Sequence, residues 1–383
     1  MRRDRLGAPA SALAGILLGP TAGGQLALLT KPFGGVLGLP GEVVGYIALT
    51  MLVLGCASAA ATTRLRVSSR GAGWCTVVAG AALVAAGTVS STWGFTITLL
   101  SAGVAAGPVV VRGRARVLGS RAASLTVWHV CCAAGFAGAA GLAALCASTP
   151  GSGVLGTGVV TVLCGALMLA APADSAAGTR PTRYSPSPAR DSAASSASPH
   201  SVRSLLPGYA AVGLTLGGVV LPALHLLLFR WNALGAEQAV LLLATTLPAL
   251  VVLALPGPNA DALAVLLVLA AGGALLVATA PGRVTLTIGL GLTLAASARA
   301  ARGLDLVLAE RHRGDGAAAT AISMVLAGLA GLGLVTVLAG PAGVGTGVTL
   351  LALPALLVAL YCGSRRLAPR SALPAPILEG GAS

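Results

Sequence analysis

Two histidines, His129 and His225, stand inside long apolar stretches of a 383-residue chain, and they are its residues best placed for chemistry. An imidazole titrates near physiological pH, so a histidine at membrane depth can take up a proton on one side of a bilayer and release it on the other. A neutral histidine can equally do no more than bond a neighbouring helix. His225 is the stronger candidate, because Pro222 just before it frees a backbone carbonyl. No Asp or Glu falls inside any predicted span, so no acid is expected beside either histidine. Enzyme chemistry finds no support, for there is no Gly-x-Ser-x-Gly elbow, no His-Glu-x-x-His and no Gly-x-x-x-x-Gly-Lys-Ser/Thr phosphate loop. The seven cysteines include no Cys-x-x-Cys pair, so neither a metal nor a cofactor is expected.

What must hold those histidines is a lipid-embedded scaffold. The chain is 56% hydrophobic and 9% charged, with a mean hydropathy of +0.91, against roughly a quarter charged in soluble domains. In hydrocarbon each backbone amide needs a partner within its own segment, so apolar runs of about 20 residues are spanning helices. The runs place spans at 7–30, 43–63, 71–90, 93–111, 122–146, 153–171, 204–229, 238–255, 262–280, 284–298, 317–340 and 347–362. The expectation is an all-α integral membrane protein of 12 transmembrane helices in two six-helix halves, 1–172 and 204–364. Between them, 173–203 is rich in Ala, Ser and Pro and has the composition of a disordered cytoplasmic connector; 365–383 is a cytoplasmic tail.

Charge placement gives the orientation. All Lys and Arg except Lys31, Arg230 and Arg283 fall on one side if the N-terminus is cytoplasmic. That arrangement accounts for the net charge of +14 without nucleic acid. The stretch from Arg299 to Arg313, with Asp305 and Glu310, is then an inner loop or a short helix on the inner leaflet. Tryptophans Trp74, Trp93, Trp128 and Trp231 mostly fall near span ends, where interfacial anchoring explains them. Glycines four apart, at Gly19 and Gly23, Gly103 and Gly107, Gly213 and Gly217, suit close helix contact.

Three stretches carry a family resemblance. Residues 221–250, LPALHLLLFRWNALGAEQAVLLLATTLPAL, resemble the seventh helix, outer loop and eighth helix of the major facilitator superfamily, most closely its drug-efflux proton antiporters. Residues 289–334 are similar to the tenth helix, inner loop and eleventh helix, and 114–141 to the fourth inner loop and fifth helix. Signature positions depart from the pattern. The loop after the second helix keeps Arg64, Arg66 and Arg70 as an inner gate but has no acid; 256–261, PGPNAD, has no basic residue; and GFAGAAG at Gly135 lacks the antiporter proline. The first helix has no carboxylate, and no arginine is expected at membrane depth in the fourth.

The resemblance implies a central cavity lined by helices one, four, seven and ten, hence by Thr21, Gln25, Thr98, Ser101 and His225. So lightly charged a cavity suits a small amphipathic or hydrophobic solute. The implied function is a secondary transporter in a bacterial cytoplasmic membrane, both termini inside, exporting such a compound by alternating access, with protons as the candidate coupling ion. The competing reading is a transport-inactive relative with a structural, assembly or regulatory role.

Overall fold

The computed structural model describes residues 7–65, 68–118, 122–170, 200–227, 236–255, 262–312, 316–339 and 343–367. Most of the expected connector, the tail beyond 367, Arg66, Trp231 and the 256–261 loop lie outside the described residues, as does the Arg64 side chain.

Every regular element among the described residues is a helix. Helix α1 runs Gly7–Ile16, passes through a π turn at Leu17–Thr21 and ends as Ala22–Leu28. It is followed by α2 Gly41–Leu65, α3 Ser69–Thr88, α4 Thr92–Leu118, α5 Ala122–Leu145 and α6 Pro150–Ala170. Helix α7 repeats the design of α1, as Leu206–Thr215, a π turn at Leu216–Val220 and Leu221–His225. Then come α8 Ala236–Ala254, α9 Leu263–Ala278, α10 Arg283–His312, α11 Ala317–Ala339 and α12 Gly343–Leu367. Ten of these are long and apolar enough to cross a membrane; the apolar parts of α8 and α9, Val240–Ala254 and Leu263–Ala278, are shorter.

The packing of the first six helices recurs in the last six. In the first set α2 lies on α4, α3 on α4 and α6, and α1 on α4, α5 and α6; in the second, α8 lies on α10, α9 on α10 and α12, and α7 on α10, α11 and α12. Between the sets α5 packs on α8, and α2 on α11, a pair of contacts that a shift of six helices interconverts. Prolines adjoin both π turns, Pro20 inside the first and Pro222 after the second. Proline cannot donate its backbone hydrogen bond, and a widened turn is where helices absorb that loss.

Glycine spacing had mixed success. A side chain at Gly213 or Gly217 would run into the α11 backbone at Met324 and Gly328, and one at Gly103 or Gly107 into α2 at Met51 and Gly55. Gly19 and Gly23 approach nothing. A short helix that the sequence did not announce, Thr30–Leu37, folds back after α1 and stacks Phe33 on Phe95 with ring centroids 5.0 Å apart. Trp74 and Trp93 are exposed as interfacial anchors would be, whereas Trp128 is buried, with Gly15 and Gly113 leaving room for its ring.

The largest departure is α10. Its expected end at 298 is overrun by fourteen residues, so Arg299–His312 is neither a loop nor a separate surface helix. Residues 299–312 are rich in Ala, Leu and Arg, all strong helix formers. From Arg299 to Leu308 every position but the half-buried Arg302 is buried, so protein packs on all sides of this part of the helix. Arg299 and Arg302 face α8, where Arg299 Nη1 donates to the carbonyls of Val252 and Leu255 and Arg302 Nη1 to that of Leu253, each at 2.9 Å. Two cations thus close the carbonyl end of a helix whose final turns have no further backbone donors.

Candidate functional site

That continuation carries a carboxylate into the protein interior, correcting the expectation that no acid lies within a span. Asp305 is 2% exposed. The α4 helix likewise runs on past 111 and buries Arg114 at 6% exposure, about one turn beyond the expected end of that span. The two meet. Arg114 Nη2 donates to Asp305 Oδ1 at 2.5 Å, while Nη1 donates to the Ala317 carbonyl at 2.8 Å and to Thr320 Oγ1 at 2.9 Å. Tyr209 Oη donates to the same Oδ1 at 2.6 Å, and the guanidinium carbon lies 5.2 Å from the Tyr209 ring centroid. His129 Nε2 lies 3.0 Å from Asp305 Oδ2. A carboxylate oxygen can only accept, so that nitrogen carries the proton. The expectation that no acid stands near either histidine is overturned at His129.

Five helices build this cluster, and they come from both sets: α4 and α5 bring Arg114 and His129, while α7, α10 and α11 bring Tyr209, Asp305 and Thr320. All five groups sit at one end of the bundle. Arg114 lies nine residues beyond the α4 midpoint, about 13 Å at 1.5 Å per residue, and Asp305 lies about 11 Å beyond that of α10 by the same rise. Leu118, Leu125, Val212, Leu304 and Leu308 pack around them and keep the charges from water. A buried charge is tolerated only when paired and fully hydrogen-bonded, which is what the cluster supplies. Chemically it is a latch, since the two sets cannot part at this end without breaking an ion pair.

The residues expected to line a cavity are dispersed. Gln25 is fully buried but turns to α6, its Nε2 donating to Thr157 Oγ1 at 2.9 Å. Thr21 donates to the Gly135 carbonyl at 3.3 Å, on α5. Thr98 and Ser101 donate to carbonyls of their own helix, at Gly94 and Ile97, each at 2.8 Å. Ser101 shares its exposed face with Trp93, Ile97 and Val104, a face for lipid by its composition. His225 is half-buried at the far end of α7, about 24 Å along the helix from Tyr209 at 1.5 Å per residue, with the Lys31 charge within electrostatic reach. Arg70 is exposed in the first turn of α3. Arg114, Tyr209, Asp305 and Thr320 were not anticipated. For Arg114 and Asp305 the signal was an internal repeat: residues 112–118, RGRARVL, and 302–308, RGLDLVL, share Arg-Gly and Val-Leu in one register; Tyr209 and Thr320 carried none.

The helices define a multi-pass, all-helical membrane protein. No protein-family model matches the chain, and no curated protein does. Solved structures do. Over 94% of its length the chain is similar to the human organic anion transporter MFSD10 (TETRAN), covering 100% of that chain with a TM-score of 0.69 and 19% identity. It is also similar to a mutant form of the nucleoside transporter NupG, with 93% and 99% coverage, a TM-score of 0.61 and 12% identity. At these identities the likeness is one of fold alone, the fold that these two transporters share.

Proposed function

We propose that the protein is a secondary transporter that moves a small amphipathic solute by alternating access, its twelve helices crossing the bilayer as two six-helix halves. The observation that carries this is the latch. A charge pair buried between two repeated helix sets, at one end only, is an expensive way to hold a static bundle, because apolar residues of equal volume do so at no desolvation cost. In a machine that must open and close that end, the pair gives two defined states. The latch end also carries most of the arginines, so it is assigned to the cytoplasm, and the state described is closed toward the cytoplasm. His129, hydrogen-bonded to Asp305, is the first candidate for a coupling proton, with Arg114 and Tyr209 the other ionisable groups on that carboxylate; His225 is a second site at the outer end. Export is the direction assigned, by likeness to efflux members. The transport-inactive alternative draws on lost gate and coupling residues; Asp305 supplies one buried acid, while the departures at 61–73, 256–261 and Gly135 still stand for that alternative.

Inverted vesicles test the assignment. Vesicles containing the protein should accumulate amphipathic tracers under an imposed pH gradient, and Asp305→Asn should abolish the gradient-dependent part. Absence of uptake across a broad tracer panel, with protein verified as folded, would return the inactive relative to first place.

A further inference from the structure

Resting on the transporter assignment, we propose that the latch also selects the solute: an amphipathic carboxylate, whose acid group takes the place of Asp305 on Arg114 and His129.

The polar groups of the latch divide unevenly between the two helix sets. When that end opens, α7 and α10 keep Asp305 together with the Tyr209 hydroxyl that donates to it at 2.6 Å. The first set keeps only donors. The hydrogen bonds described for the Arg114 and His129 side chains all run to α10 and α11, to Asp305, Thr320 and the Ala317 carbonyl. Opening therefore strips a guanidinium fork and an imidazole N–H of their acceptors at once, on two adjacent helices of one set. A planar fork with a second donor beside it is a receptor for a carboxylate, and in the closed state it already holds one, with Arg114 on Oδ1 and His129 on Oδ2 of Asp305.

The surroundings fix the rest of the ligand. Leu118, at the end of α4, and Leu125, in the first turn of α5, belong to the apolar layer around the latch and stay with the first set when it opens. They favour a hydrocarbon or aromatic body behind the acid group and disfavour a sugar phosphate. A cation would meet Arg114 and be repelled. Asp305 and the solute acid then compete for the same donors, so the inner end can shut only after the solute has moved off them toward the seam. Competition of this kind makes binding and closure mutually exclusive, and it lets each closure displace the solute.

The test uses the full chain in lipid nanodiscs and three probes of one shape: 3-phenylpropionate, its methyl ester and 3-phenylpropylammonium. Calorimetric titration should detect the acid and neither of the others. Asp305→Asn removes the internal competitor and should bind the acid at least about tenfold tighter, as expected when the binding-competent state becomes the dominant one. Arg114→Gln should not bind it. Should Asp305→Asn fail to fold, the intact latch still decides: Cys132 lies on α5 one turn from His129 and within electrostatic reach of Arg114, and in a variant keeping it as the one cysteine the acid and not the ester should speed maleimide labelling there. Equal binding of acid and ester, or a folded Asp305→Asn no tighter than wild type, overturns the proposal. Acid binding without tracer uptake in vesicles would instead overturn the transporter assignment and leave the carboxylate site standing.

Discussion

The ends of α4 and α10 are two versions of one segment. Both read Arg-Gly, three variable residues, then Val-Leu, and both continue a helix beyond the length that a bilayer requires. They differ where it matters. The third position is Arg114 in one and Leu304 in the other; the fourth is Ala115 in one and Asp305 in the other. Each copy thus contributes one charge, and the repeated packing sets them face to face across the seam. Had both copies kept the same residue, the seam would hold two like charges or none. In the proposed transporter, the difference between the two copies is what lets the seam open and close.

Breaking that complementarity should have the largest effect. Arg114→Met or Asp305→Asn alone leaves a buried charge without its partner, a loss of about 3–5 kcal/mol. It should appear as a lower thermal unfolding midpoint in detergent, and combining the Arg114→Asp and Asp305→Arg changes should recover part of it. Overpacking the second copy's support comes next. Gly213→Val would force the α7 and α11 backbones apart, at about 1–3 kcal/mol, read by the same midpoint. Tyr209→Phe keeps the ring beneath Arg114 but removes the hydroxyl from Asp305, a loss of about 1.5–3 kcal/mol for a bond to a charged group at the full extent of burial. Ser101→Ala should change uptake and midpoint by no more than about 0.5 kcal/mol in equivalent terms, because its hydroxyl serves only its own helix.

Helix type and placement were legible in the sequence because hydropathy reports the apolar residues that fill each helix, whether they face outward or, as over most of α10, the protein interior. The latch was not, and the reason is physical. A window that seeks apolar residues ends a span at the first cluster of arginines, at 111 and again at 298, and assigns the next turns of helix to water. Here those arginines have partners inside the protein: Arg114 finds Asp305, and Arg299 finds the carbonyls of α8. Composition records the charge but not the partner. Gln25 shows the converse, since its burial was readable from its surroundings while its direction, toward Thr157 and not the seam, depended on how α1 packs on α6. His129 was recognised as a proton-carrying candidate without the acid that gives it a role.

The most direct measurement of the central claim is the distance between spin labels at Thr63→Cys on α2 and Glu310→Cys on α10, two exposed positions at the latch end of opposite sets, in a background without other cysteines. Wild type should give one short, narrow distribution. Asp305→Asn should add a longer population, and the Arg114→Asp, Asp305→Arg exchange should shrink it again. Identical distributions in all three proteins would contradict the account, for the charge pair would then hold nothing shut.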